Sequence, residues 1–196
     1  MTAIVDYGTG NIFSLCNAVE KHCSEIVVTS DPQIISVADF VILPGVGEAT
    51  SVMREIEARS LTHILKKLSC PVLGICIGMQ VMCNFSEEGD TLGLGIFGNR
   101  VVKIKGEGVK IPHMGWNRVL RGKGPLYEGI EEGEWLYFVH TYAPDINENT
   151  ISVTDYSNSF SSSLNRSNFY GTQFHPEKSG DTGERFLKNF FELNRV

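Results

Sequence analysis

The amino-acid sequence predicts an α/β protein with a mainly parallel central sheet flanked by helices and an additional β-rich part in its second half. Three observations carry this expectation. Short apolar runs alternate with helix-compatible segments through the first half of the chain. One run, Pro71-Val72-Leu73-Gly74-Ile75, ends in Gly74-x-Cys76-x-Gly78 and passes directly into a helical segment. From about Arg100 onward the segments read as strands joined by turns.

Taken in order, Thr2 to Val5 is a strand and about Ile12 to Lys21 a helix. Ile26 to Thr29 is a second strand. Asp31-Pro32 opens a short helix, with Asp as N-cap and Pro at the first helical position. Phe40 to Leu43 is a third strand, about Thr50 to Lys67 one helix, and Val72 to Ile75 a fourth strand feeding the helix after Cys76. In the second half, strands are expected near Arg100 to Ile104, Asn117 to Leu120, Trp135 to His140, Ile151 to Asp155, Ser161 to Asn165 and Phe169 to Phe174. The serine-rich stretch Ser157 to Ser163 is bounded by aromatics and fits a loop entering a strand. A helix from about Gly183 to Leu193 closes the chain.

Nothing in this series marks a linker or a repeat, so 196 residues are expected to form one domain, 1–196, long enough to bury a sizeable core. Hydrophobic residues at 42% and charged residues at 20% are ordinary globular values. A net charge of -6 leaves no basic footprint for nucleic acid. No apolar run reaches the roughly 18 residues of a membrane helix. The start, Met1-Thr2-Ala3-Ile4-Val5-Asp6, lacks the basic opening of a secretory signal and already reads as a strand. Cys16, Cys23, Cys70, Cys76 and Cys83 are odd in number and contain no Cys-x-x-Cys pair, which fits reduced thiols in a cytoplasmic compartment. No His/Cys/Asp/Glu set has convincing metal spacing, and neither metal nor cofactor is expected.

The Gly74-x-Cys76-x-Gly78 segment has the form of a nucleophile elbow with cysteine in place of serine. Flanking glycines remove the Cβ atoms that would collide in a tight strand-to-helix turn. Such a turn is expected to push the thiol into solvent, above a helix N-terminus that favours the thiolate. Four of the five cysteines read as small core residues; Cys76 alone sits between glycines at -2 and +2. About a hundred residues later, Gln173-Phe174-His175-Pro176-Glu177 offers a base and a carboxylate. An extended backbone there would aim His175 and Glu177 to the same side. The carboxylate would fix the imidazole tautomer and steady the imidazolium. Cysteine, histidine and carboxylate suffice for covalent acyl transfer. Pro44-Gly45-Val46-Gly47, directly after a strand, is a candidate oxyanion hole, although by itself it reads more readily as a turn.

Two glycine motifs carry less. Gly93-Leu94-Gly95-Ile96-Phe97-Gly98 matches G-x-G-x-x-G literally, but it follows polar residues and precedes a β-rich run, so it is not a dinucleotide fingerprint. Gly8-Thr9-Gly10 reads as a tight βα turn. Pro112-His113-Met114-Gly115-Trp116-Asn117 mixes aromatic, Met and polar residues and suits either an interface or a packed loop.

The Cys76 and His175 motifs resemble the signatures of the class I (triad) glutamine amidotransferases, which have a flavodoxin-like fold. Four further segments resemble the glutaminase subunits of imidazole glycerol phosphate synthase, and the likeness runs in order from residue 6 to about residue 190. They are Asp6-Tyr7-Gly8-Thr9-Gly10-Asn11, Leu43-Pro44-Gly45-Val46-Gly47, Pro112-His113-Met114-Gly115-Trp116-Asn117 and Phe138-Val139-His140-Thr141-Tyr142. The resemblance implies that Cys76 attacks glutamine, His175 carries the proton to departing ammonia, and Glu177 orients His175. It implies an oxyanion hole at Val46 and Ile77, with the Val46 peptide either preset or turned into place by a rearrangement of its strand. Gly47, Gln80, Thr141 and Tyr142 correspond to glutamine-binding positions. Trp116, Tyr137 and Lys178 match an interface with the partner or the gate for ammonia. The implied partner is a separate (β/α)8-barrel cyclase subunit in a heterodimer. It would use the ammonia to make imidazole glycerol phosphate and aminoimidazole carboxamide ribotide. Departures from the family pattern are modest: Ile77 in place of a frequent Leu, Glu48-Ala49-Thr50 after the Pro-Gly-Val-Gly turn, and serines at 157–163 near the expected glutamine pocket.

Three alternatives stand beside this expectation. One is a paralogous glutaminase feeding another synthase, such as one making amidino sugars. Another is a stand-alone cysteine peptidase or chaperone-like hydrolase of the same architecture, against which Gln80 and the Pro-Gly-Val-Gly turn argue. The last is a non-catalytic binding subunit, disfavoured because all three triad residues are present.

Overall fold

A computed structural model describes residues 1–8, 12–106 and 108–193. Strand β1 (Thr2–Val5), helix α1 (Phe13–Glu20), β2 (Ile26–Thr29), α2 (Pro32–Ser36) and β3 (Phe40–Leu43) come first. They are followed by α3 (Ala49–Ala58), α4 (Thr62–Lys67), β4 (Val72–Ile75), α5 (Ile77–Met82), β5 (Phe85–Ser86) and β6 (Thr91–Leu92). The second half holds β7 (Arg100–Lys103), β8 (His113–Arg118), β9 (Trp135–His140), β10 (Tyr142–Pro144), β11 (Thr150–Tyr156), β12 (Asn158–Arg166), β13 (Phe169–Thr172) and α6 (Gly180–Glu192).

The main sheet has the order β11-β12-β13-β4-β3-β1-β2. Its five strands from β13 to β2 are parallel, and β11 and β12 extend it antiparallel. Strands β1, β3 and β4 are apolar at nearly every position because both faces are covered, whereas the edge strand β2 leaves Val28 exposed. Side chains alternate between two cores: Ala3, Val5, Val41, Leu43 and Val72 pack on the side of α2 to α5. Ile4, Ile42, Leu73 and Ile75 pack on the other, with Phe186 and Phe190 of α6. A smaller sheet (β10-β7-β5-β6) and the β8–β9 pair form the additional β-rich part.

Asp31 caps α2 as expected, its side chain accepting from Gln33 N at 2.8 Å with Pro32 at the first position. Residues 93–99 form no helix, so the Gly93–Gly98 motif does not open one as a dinucleotide fingerprint would. The Gly8-Thr9-Gly10 turn lies largely outside the described residues, as does Asn11.

Three expectations need correction. The single helix from Thr50 to Lys67 is two helices. Ser60 adopts a left-handed φ of 57°. Ser60 N donates to Glu57 O and Leu61 N to Ile56 O, at 2.9 Å each. That is a Schellman stop, closed by burial of Leu61. It was hidden because serine stands where glycine usually signals it. The strand expected at Asn117 to Leu120 lies earlier, as β8, and Leu120 makes only an isolated bridge to Val153. Strand β8 inverts the usual pattern: His113 is buried, while Met114 and Trp116 on the opposite face are 62% and 52% exposed. The strand starts earlier than the loop reading allowed: β12 begins at Asn158 rather than Ser161, and it buries Ser161, Ser162 and Ser163. Ser163 meets the Tyr127 hydroxyl at 2.8 Å, and these serines do not line the candidate glutamine cleft.

Candidate active site

Three neighbouring parallel strands, β3, β4 and β13, end together, and the crevice beyond the carboxyl ends of such strands is where α/β sheets bind ligands. Pro44–Gly47 follows β3, Cys76 follows β4, and His175 lies three residues beyond β13. The sheet order β13-β4-β3 therefore brings the three sequence motifs to one place.

Cys76 sits at φ 47°, ψ -108°, between β4 and α5. A non-glycine residue in this region is strained, which is the hallmark of an elbow held by its surroundings. A Cβ on Gly78 would collide with the Leu43 carbonyl, and one on Gly74 would lie 2.6 Å from Met79 N. Both glycines are thus required for α5 to start so close to β3 and β4. Contrary to expectation, the thiol does not stand in solvent: Cys76 is 7% exposed. Strand β9 covers it, and its Sγ faces the Val139 carbonyl at 3.8 Å.

His175 and Glu177 meet as expected, with Nδ1 donating to Oε1 at 2.7 Å. The backbone between them is not extended. It is a 3-10 turn, Pro176–Lys178, and this turn rather than strand alternation faces the two side chains together. Burial works against a charged His175 ring. Hydrogen bonding and charge from Cys76, followed by Glu177, outweigh it and raise the ring to about 10. Nε2 is buried and forms no hydrogen bond among the described residues, while the neighbouring Cys76 still raises the ring. Such contacts commonly tighten only when substrate arrives.

Two clefts flank this centre. One, of about 280 Å³, is lined by Cys76, Ile77, Gly47, Gln80, Thr141 and Tyr142, all positions singled out in the sequence. The other, of about 430 Å³, is lined by His175, Glu177, Lys178 and the whole Pro44-Gly45-Val46-Gly47 turn. Gly47 and Val139 border both. Ile77 opens α5, so its N–H has no acceptor within the helix. Gln80 sits one helical turn after Cys76 on the same face. Its Nε2 already donates to Tyr142 O at 2.8 Å and Gln173 Oε1 at 2.9 Å. Trp116 and Tyr137 border neither cleft. They form an edge-on ring pair, centroids 6.1 Å apart, on the outer face of the β8–β9 pair.

The structure adds residues that the sequence left without a role. Glu88 supplies a carboxylate to the smaller cleft; burial raises its pKa, and its Oε2 accepts from Ala49 N at 2.8 Å. His140 lines the same cleft, and its Nε2 is 3.0 Å from His113 Nδ1. Burial lowers the two rings to about 3 and about 4, so both are neutral. Gln173 is fully buried with Nε2 3.4 Å from the Cys76 sulfur. His140 and Gln173 lay inside quoted motifs, but a sequence does not say where a side chain is aimed.

A strained cysteine above a helix, with a His–Glu pair beyond the neighbouring strand, is an arrangement suited to acyl transfer through a thiol. Residues 3–193 match the family model of the class-I glutamine amidotransferases, and the chain belongs to that family. It is 48% identical over 193 residues to the imidazole glycerol phosphate synthase subunit HisH of Bacteroides fragilis, covering 97% of this chain and 98% of that relative. The HisH of Escherichia coli K12 is 43% identical over 192 residues, with the same coverage. Within its class, the chain thus falls in the HisH family. A solved glutamine amidotransferase superposes with a TM-score of 0.76 at 15% identity, covering 99% of both chains. A putative GMP synthase component from Thermoplasma acidophilum gives 0.74 at 18%, covering 97% of this chain and 91% of that one. At such identities these likenesses speak for the fold. Among the described residues, no helix is long and apolar enough to cross a membrane.

Proposed function

We propose that this chain, as a single cytoplasmic domain, is the glutaminase subunit of imidazole glycerol phosphate synthase. It supplies ammonia to a separate (β/α)8-barrel cyclase of the HisF type in a heterodimer. The observation that carries the chemistry is the convergence of Cys76, His175 and Glu177 at the ends of β4 and β13.

Glutamine enters the smaller cleft with its side-chain amide toward Cys76 and its ammonium toward Glu88. The Cys76 thiolate attacks the amide carbon. Negative charge on the carbonyl oxygen falls to the N–H groups of Val46 and Ile77. His175, steadied by Glu177, gives its proton to the nitrogen, the C–N bond breaks and ammonia leaves. Water then adds to the glutamyl thioester and passes a proton to His175. The C–S bond breaks, the thiolate is restored, and glutamate departs as its acid proton goes to solvent. Gly47, Gln80, Thr141 and Tyr142 shape the glutamine cleft. Ammonia leaves past Lys178 toward the face that carries Trp116 and Tyr137, where the barrel docks.

Glutamate release tests this reading, measured for the purified chain alone and with a histidine-pathway cyclase barrel plus its nucleotide ligand. Near-silence alone and strong release in the mixture are expected. Silence in both would reject the pathway assignment in favour of another synthase partner.

A further inference from the structure

We propose that Gln173 is a catalytic residue of this hydrolysis, its side-chain amide keeping a hydrogen-bond donor on the Cys76 sulfur and thereby favouring the thiolate. The proposal rests on Cys76 being the nucleophile.

The orientation of the amide follows from an acceptor that cannot be reversed. The carbonyl of Tyr142 only accepts, and the Gln80 terminal atom 2.8 Å from it is therefore the NH2 group. That same NH2 lies 2.9 Å from the Gln173 side chain, so the facing Gln173 atom is its oxygen. The remaining Gln173 terminal atom is then NH2, and it lies 3.4 Å from the Cys76 sulfur. Reversing either amide would set two donors or two acceptors against each other. One backbone carbonyl thus fixes two side chains in series and ends the series with a donor on sulfur.

The carbonyl is itself fixed from the other side. His140 Nδ1 lies 2.8 Å from Tyr142 O and must donate to it. His140 Nε2 then accepts from His113 Nδ1 at 3.0 Å, and His113 Nε2 accepts from Asn117 Nδ2 at 3.2 Å. Every donor in the series from β8 to the sulfur finds an acceptor, with Gln80, Gln173, His113 and His140 all buried. Space alone does not explain an amide at position 173. A fully buried amide costs desolvation unless its groups are used, and methionine would fill the volume without that cost. The backbone N–H of Gln173 is already held by Ser162 O at 2.9 Å, so the side chain is not needed to anchor the chain here.

A donor on sulfur acts twice. It stabilises the anionic sulfur that attacks, and again the sulfur released when the thioester is hydrolysed, while the neutral thioester between them gains little from it.

The test compares wild type, Gln173→Met, Gln173→Glu and Cys76→Ala, each in complex with the cyclase barrel. Alkylation of Cys76 by iodoacetamide is followed by peptide mass spectrometry as a function of pH. The half-maximal pH is expected to rise by about one unit in Gln173→Met, with alkylation about tenfold slower at neutral pH. Gln173→Glu, equal in shape but acidic, is expected to shift further, and in both variants kcat falls while KM holds. Both variants folding and alkylating with the wild-type pH midpoint, whatever their activity, would overturn the proposal. Glutamine hydrolysis persisting in Cys76→Ala would instead overturn the triad on which it rests. The wild type gives an answer without any Gln173 substitution. Its Gln173 side-chain amide protons should shift with the pH midpoint of alkylation, and their failure to do so would also reject the role.

Discussion

The backbone N–H of His175 donates to the carbonyl of Tyr137 at 2.8 Å, tying the imidazole directly to strand β9. Ser179 doubles the tie. Its Oγ accepts from Tyr137 N at 2.9 Å and donates to His175 O at 2.6 Å. The exposed face of the β8–β9 pair carries Trp116 and Trp135, about half exposed. A partner seated on that face would press on the strand that positions His175 and covers Cys76. Such an arrangement offers a physical route by which docking reaches the triad.

Trp116→Ala is expected to weaken association with the cyclase barrel by about 2 kcal/mol, within the range of aromatic hot spots. Because Trp116 is half exposed, the thermal midpoint of the isolated chain should hardly move. Titration calorimetry with the barrel and a melting curve without it separate the two effects; unchanged affinity would exclude Trp116 from the interface.

Cys76→Ala should lower glutamine hydrolysis in the complex by roughly 10⁴-fold or more, as loss of a covalent nucleophile does elsewhere. Circular dichroism and barrel affinity should stay at wild-type values, since the cysteine makes little packing that alanine cannot. Retained hydrolysis would remove Cys76 from the mechanism.

Gly45→Ala probes the contact between the Pro44–Gly47 turn and the triad. A Cβ at this position would lie 2.7 Å from His175 Cε1 and 3.1 Å from the Ile75 carbonyl. The ring or the turn must shift, and displacements of this order cost about 10²-fold in rate. The expected signature is a fall in kcat, with a stability loss of about 1–3 kcal/mol from overpacking. Wild-type turnover would show that the turn yields freely.

The histidines set the pH window of stability. His113 and His140 have native pKa values below the ordinary 6.5, so both are neutral when folded and protonated in the unfolded chain in mild acid. Burial lowers His22 in the same direction. Their stability is fully present above about pH 6.5 and is lost as pH falls toward their native values. His175 acts with the opposite sign. Raised to about 10, it contributes fully below 6.5 and loses its contribution as pH rises through 10. It is therefore constant across the acid limb. Urea unfolding at about pH 5 should show each of the His113–His140 pair costing about 2 kcal/mol relative to neutral pH. A flat profile between those conditions would mean that the pair becomes charged in place.

Much of the fold is written locally. The apolar runs at Thr2–Val5, Ile26–Thr29, Phe40–Leu43 and Val72–Ile75 are strands at the bounds read from the sequence, because a short apolar, β-branched run needs little else. The Asp31-Pro32 cap and the glycine-flanked Cys76 are equally local, since each depends on the backbone geometry of a few residues. Long-range packing decided the rest. The stop at Ser60 depends on burying Leu61, and no glycine announces it. Cys76 is covered rather than exposed because β9, some sixty residues later, lies over it. The polar series from Asn117 through His113, His140, Tyr142, Gln80 and Gln173 to the sulfur joins partners as far as 97 residues apart. The sequence determined which strands form and which motifs follow them. Tertiary structure alone decided where each buried amide and imidazole points, because a hydrogen bond has a direction that only the assembled neighbours can set.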